Sequence, residues 1–190
     1  MSARSNEFER RVLPETRVEI ADRRIRGTAI VFNSLSVDLG GFREIIKPEA
    51  VDRTLREGLD VRALVDHDSA KVLGRTKSGT LTLRKTARGL VIENDPPNTT
   101  YAKDLMESIE RGDVSGMSFG FRVLTDEWRM EDGEAIRDVY DMTISEVSVV
   151  TFPAYAATDV AMRSFREFQK SHGMDRMEYL QKWHKTRLAR

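Results

Sequence analysis

Short apolar runs recur along this chain at hairpin spacing, and that recurrence most restricts the folds open to it. Val18 and Ile20 alternate with polar neighbours, and GTAIVF (Gly27–Phe32) is an apolar run of strand length. REII (Arg43–Ile46), VRALVDHD (Val61–Asp68) and GLVIEND (Gly89–Asp95) read the same way. Lys71–Thr76 and Thr80–Thr86 read as a hairpin around Ser78-Gly79. MSFGFRVL (Met117–Leu124) alternates cleanly, with Phe119, Phe121 and Val123 on one face and Ser118, Gly120 and Arg122 on the other. Residues 125–133 read as a charged connection, and Ala135–Phe152 as one or two strands rich in β-branched residues. Two helices interrupt the series. One covers Ala50–Gly58 behind Pro48 at an N1 position; the other covers Thr99–Asp113, with Tyr101, Leu105 and Ile109 four residues apart. The pattern predicts a mostly β (α+β), barrel-like domain with helices packed outside. It lacks the strand–helix alternation of a βαβ fold and any glycine-rich phosphate loop.

The 190 residues suit one compact domain with room for extensions. Residues 1–16 are polar and read as a loose N-terminal arm, residues 17–164 as the folded body, and residues 165–190 as a basic extension, helical or disordered. Lys+Arg and Asp+Glu both total 31, so net charge gives no reason to expect direct nucleic-acid binding or an anionic membrane partner. There is no cysteine, which excludes disulfides, thiolate catalysis and cysteine-ligated metals. The chain has neither a signal-type apolar segment at its start nor a bilayer-length apolar run, so a soluble protein made in a reducing cytoplasm is expected. Of three histidines, His172 and His184 lie in the basic extension, which leaves His67 for any imidazole chemistry in the body.

His67 closes an apolar strand between Asp66 and Asp68, where a lone histidine is ordinarily a solvated turn residue. Ser118 begins a strand on the face opposite the phenylalanines, with Gly116 and Gly120 leaving room for close backbone approach. A serine nucleophile needs such an exposed hydroxyl near backbone N–H groups; a plain edge-strand serine fits the segment equally, and Ser115 in the preceding turn is a rival. Glu146 interrupts the apolar run ISEVSVV, and Ser148 shares its face. A carboxylate there faces solvent, pairs with a cation or orients a histidine. Asp66, Asp68 and Asp141 are alternatives for that third role.

Four segments in order, GTAIVFNS, LVDHDSAKVLGRT, SGMSFGF and ISEVSVVTFPAYAAT, resemble the caudoviral prohead protease family, which is similar in core fold to the herpesvirus assemblins. The resemblance covers about Arg17 to Met162 and implies an assemblin-like β-barrel with surrounding helices. It implies a serine endopeptidase with Ser118 as nucleophile and His67 as general base. Assemblins place a second histidine where this chain has Glu146, so Glu146 takes the orienting role. They also carry an arginine pair near the oxyanion. FPAYAAT has no arginine, which leaves backbone N–H groups near Ala154 and Tyr155. The implied partners are the major capsid protein with its scaffolding segment, and the protease itself through self-cleavage. A homo-oligomer is compatible with the pattern, and no cofactor or metal is called for. The implied place of action is the host bacterial cytoplasm, inside the assembling prohead. The alternative is a non-catalytic scaffold or capsid-binding module that keeps the fold.

Overall fold

The computed structural model describes residues 7–152 and 159–188. Its first strand, β1 (Glu9–Val12), lies inside the segment expected as a loose arm. It is followed by β2 (Arg17–Ala21), β3 (Arg24–Val31) and β4 (Phe42–Ile46). Pro48 then opens a 3-10 turn that runs into α1 (Asp52–Arg56), its fixed φ suiting the helix start. β5 (Arg62–Val65), β6 (Asp68–Arg75), β7 (Leu81–Lys85) and β8 (Gly89–Asn94) lead to α2 (Thr100–Glu110). The two longest strands, β9 (Gly116–Glu131) and β10 (Glu134–Val150), precede the terminal helices α3 (Asp159–Ser171) and α4 (Arg176–Leu188).

Three hairpins turn on two residues of positive φ: Asp22-Arg23, Asp66-His67 and Asp132-Gly133. Left-handed backbone at both central positions matches the twist of the flanking strands, and aspartate, histidine and glycine adopt it at low cost. These turns correct two expectations. Residues 71–76 and 80–86 do not form a hairpin around Ser78-Gly79: β6 pairs with β5, and β7 with β8. Gly79, at φ 75°, instead closes a 3-10 turn that carries the chain from one sheet to the other. The expected charged connection at 125–133 is strand up to the Asp132-Gly133 turn, because its charges pair across the ladder, Arg137 with Asp126 and Arg129 with Asp138.

The strands form two open sheets rather than the expected closed barrel. The larger is six-stranded, ordered β1-β9-β10-β5-β6 with β4 also on β10; the smaller is β2-β3-β8-β7. Among the described residues no ladder joins the two sheets, so they meet face to face through side chains. Ile25, Ile30, Leu90 and Ile92 from the smaller sheet and Met117, Phe119, Phe121 and Val147 from the larger share one core. Gly27 permits the close approach: a Cβ there would lie 2.4 Å from Met117 Sδ. α2 adds Ala102, Leu105 and Ile109 to this core. A separate aromatic cluster fastens the basic extension, with Phe165, Phe168, Tyr179 and Trp183 packed on Phe42 and Trp128. Tyr179 completes it, accepting from the Ala135 N–H at 2.9 Å and donating to the Gly41 carbonyl at 2.7 Å.

Candidate active site

The β5–β6 turn presents His67 over the end of β10. Its geometry is set by Asp66, whose carboxylate accepts from the Thr151 N–H at 2.7 Å and from the Thr151 hydroxyl at 2.9 Å. His67 follows at φ 61°, and its Nδ1 lies 2.6 Å from Glu146 Oε1. Glu146 stands on β10 between Gly120 of β9 and Arg62 of β5. The glycine is what makes room for it, since a Cβ at residue 120 would lie 2.6 Å from Glu146 Cγ.

One row along the same ladder, Ser118 faces Ser148 directly. Alternation places Ser118, Gly120, Glu146 and Ser148 on one face of the sheet, away from the phenylalanine core. Ser118 is only 1% exposed, and its hydroxyl donates to the carbonyl of Arg11 at 3.0 Å. Among the described residues no hydrogen bond joins Ser118 to His67. Ser148 Oγ is buried and has no hydrogen-bond partner among the described residues.

The structure thus brings His67 and Glu146 into contact and sets Ser118 beside them on the same face. The rivals have other commitments. Asp66 holds Thr151; Asp68 accepts from the Ala70 N–H at 2.9 Å; Asp141 takes the Arg53 guanidinium, with Nη2 to Oδ2 at 2.7 Å. Ser115 is exposed in the loop before β9. Ala154 and Tyr155, suggested as oxyanion donors, lie outside the described residues.

Two features escape a reading of the sequence. Arg10 Nε reaches Glu146 Oε1 at 3.0 Å, the same oxygen that meets His67. On the opposite face of β1, Glu9 and Arg11 enter a buried ionic cluster. Arg11 bonds Glu44 (Nε to Oε1, 2.8 Å) and Glu9 (Nη2 to Oε2, 2.7 Å). Arg137 bonds the same two carboxylates through Nη1, Glu9 Oε1 and Glu44 Oε2 both at 3.1 Å, and Asp126 Oδ2 through Nε at 2.7 Å. These partners are far apart in sequence, and no local window of a charged segment signals burial.

Burial pushes the Glu146 carboxyl up, but the hydrogen bond and charge of His67, with those of Arg10, outweigh it and hold it below the ordinary glutamate range. Near neutrality the group is therefore a carboxylate. An imidazole anchored through Nδ1 to a carboxylate keeps its tautomer fixed and presents Nε2 for proton transfer, as a serine hydrolase requires. Among the described residues no group of His, Asp and Glu is arranged to hold a metal ion. No helix of the described residues is long and apolar enough to cross a membrane.

A family model, that of the Caudovirus prohead serine protease, matches residues 12–171. No curated protein and no solved structure matches the chain significantly.

Proposed function

The chain belongs to the Caudovirus prohead serine protease family, and from that premise we propose that Ser118 is its nucleophile, His67 its general base and Glu146 the carboxylate that orients the base. The observation that carries this reading is the 2.6 Å contact between His67 Nδ1 and Glu146 Oε1, on the sheet face that also bears Ser118. In the reaction, Ser118 Oγ attacks a peptide carbonyl while His67 Nε2 takes its proton. The imidazolium, stabilised by Glu146, then protonates the leaving amine. Water, deprotonated by the same histidine, releases the acyl group and restores the serine.

The family acts in tailed-phage capsid maturation. The substrates proposed here are the scaffolding segment of the major capsid protein and the protease itself, cut within the prohead in the host cytoplasm. Self-cleavage would remove the basic extension at α3–α4. Co-expression of Ser118→Ala or His67→Ala with the capsid protein tests the assignment: the scaffold should stay attached, and removal at the normal rate would overturn it. Intact mass followed over time tests self-processing, which a persistently full-length chain would exclude.

A further inference from the structure

β1 is the strand that the catalytic reading leaves unexplained. It precedes almost all of the matched region, yet it lies on the strand that carries Ser118. β9 has β10 along one side and β1 along the other, in the register Val12 opposite Ser118, Arg11 opposite Phe119, Arg10 opposite Gly120 and Glu9 opposite Phe121. Without β1, this stretch of β9 would be an open sheet edge. Such an edge offers unpaired N–H and C=O groups on which an extended peptide adds as a further strand.

We propose, on the basis of the catalytic reading above, that this edge is the peptide-binding site and that β1 is its internal occupant, which keeps the enzyme latent until the strand is displaced. Three contacts place β1 as a stand-in for substrate. The Arg11 carbonyl sits 3.0 Å from Ser118 Oγ, where a scissile carbonyl would be presented. The contact is unproductive, because the hydroxyl spends its proton on the carbonyl oxygen instead of offering it to His67. Arg10 reaches Glu146, the carboxylate that orients the base. Phe8 covers Gly120, so closely that a Cβ there would lie 2.3 Å from Phe8 Cζ, and its ring centroid lies 5.5 Å from the guanidinium carbon of Arg10 and 5.8 Å from that of Arg122.

The alternation of β1 divides its work. Phe8, Arg10 and Val12 share the catalytic face, while Glu9 and Arg11 point into the ionic cluster that holds the strand in place. A substrate that replaces β1 meets the same two faces: its residue at the Arg11 position faces the buried Glu44, and the residue before it faces Glu146. The site therefore selects an extended segment with Arg or Lys immediately before the residue whose carbonyl meets Ser118, because that side chain falls opposite Gly120 within reach of Glu146.

The test compares the full chain with a chain lacking residues 2–12, using a fluorophosphonate probe and mass spectrometry to measure the rate and site of labelling. Labelling of Ser118 should be more than ~tenfold faster in the shortened chain, as expected when a dominant closed state is removed. A synthetic peptide spanning residues 5–13 should slow it again, and the same peptide with Arg10→Glu should not. Equal or absent labelling in the shortened, folded chain overturns the proposal. Should the shortened chain not fold, Arg10→Glu in the full chain decides. A carboxylate beside Glu146 loosens the strand and should speed labelling by about two- to fivefold, the scale of a half-exposed ion pair; no acceleration overturns the strand's role. Ser118→Ala in each background separates the two readings: labelling that persists there overturns the catalytic assignment, whereas Ser118-specific labelling that ignores β1 overturns only the latency.

Discussion

The cluster of Glu9, Arg11, Glu44, Asp126 and Arg137 and the trio of His67, Glu146 and Arg10 both set carboxylates against cations on the β9–β10 pair. They meet the cost of burial in different ways. In the cluster, Arg11, Glu9, Glu44 and Arg137 are at most 1% exposed at their side chains, and each arginine bridges at least two carboxylates. In the trio, one carboxylate oxygen meets both the His67 imidazole and the Arg10 guanidinium, and Arg10 remains 50% exposed. A closed network of this kind recovers desolvation only while every member is present, so it holds β1 against the sheet and makes the release of that strand costly. The half-open trio can exchange a partner. The same pair of strands thus carries a rigid charge assembly and an adaptable one, and only the second is suited to chemistry.

The largest expected effect breaks the trio. Glu146→Gln keeps the size of the side chain but lets the imidazole take the wrong tautomer, and kcat on the capsid substrate should fall by about 10²- to 10⁴-fold. Its urea midpoint should stay near that of the parent. An unchanged kcat would remove Glu146 from the mechanism. Arg137→Met instead breaks the cluster, leaving Glu9, Glu44 and Asp126 under-compensated, and urea unfolding should show a loss of about 3–5 kcal/mol. Adding Glu44→Gln to that variant should recover part of the loss, the signature of a shared network rather than of independent contacts.

Acid sharpens the contrast. Burial pushes the Glu44 carboxyl up, but Arg11 and Arg137 outweigh it and hold it below the ordinary value of 4.5, and Glu146 is lowered likewise. Protons therefore bind more weakly to the folded chain than to the unfolded one. The stabilisation is complete above the ordinary value and is lost as pH falls through the depressed ones. Stability measured between pH 6 and pH 3 should fall less steeply in Glu44→Gln than in the parent, with a smaller change in Glu146→Gln. The smallest effect belongs to Ser148. Ser148→Ala removes a buried hydroxyl that has no hydrogen-bond partner among the described residues, so stability should stay level or rise by less than about 1 kcal/mol, with kcat unchanged. A collapse of kcat would move the nucleophile from Ser118 to the serine facing it.

Legibility in the sequence followed the range of the forces involved. The Met117–Leu124 alternation and the four-residue spacing of α2 are local patterns, and both are present in the structure. The placement of His67 beside Glu146 follows from the family resemblance alone, because nothing near either residue names the other. The β5–β6 hairpin is hidden from a local reading because its turn is Asp66-His67, without the glycine that marks Asp132-Gly133. Strand β1 reads as a loose arm in the sequence because Glu9, Arg10 and Arg11 are residue types that are ordinarily solvated. The burial of Glu9 and Arg11 and the anchoring of Arg10 are set by Glu44, Arg137 and Glu146, which arrive on β4 and β10, far away in the chain. The open sheets in place of a barrel reflect pairing choices that periodicity alone cannot rank.

The handedness of the Asp66-His67 turn narrows the routes by which such a chain can drift. Both residues sit where only a short alphabet of side chains is at ease, chiefly Asn, Asp, Gly and His. A saturation library at position 67 selected for folding alone should return that alphabet, while selection for turnover should return one letter. The backbone therefore tolerates neighbours of histidine in conformational space that lack its chemistry, and a chain that lost the proposed base would keep its fold.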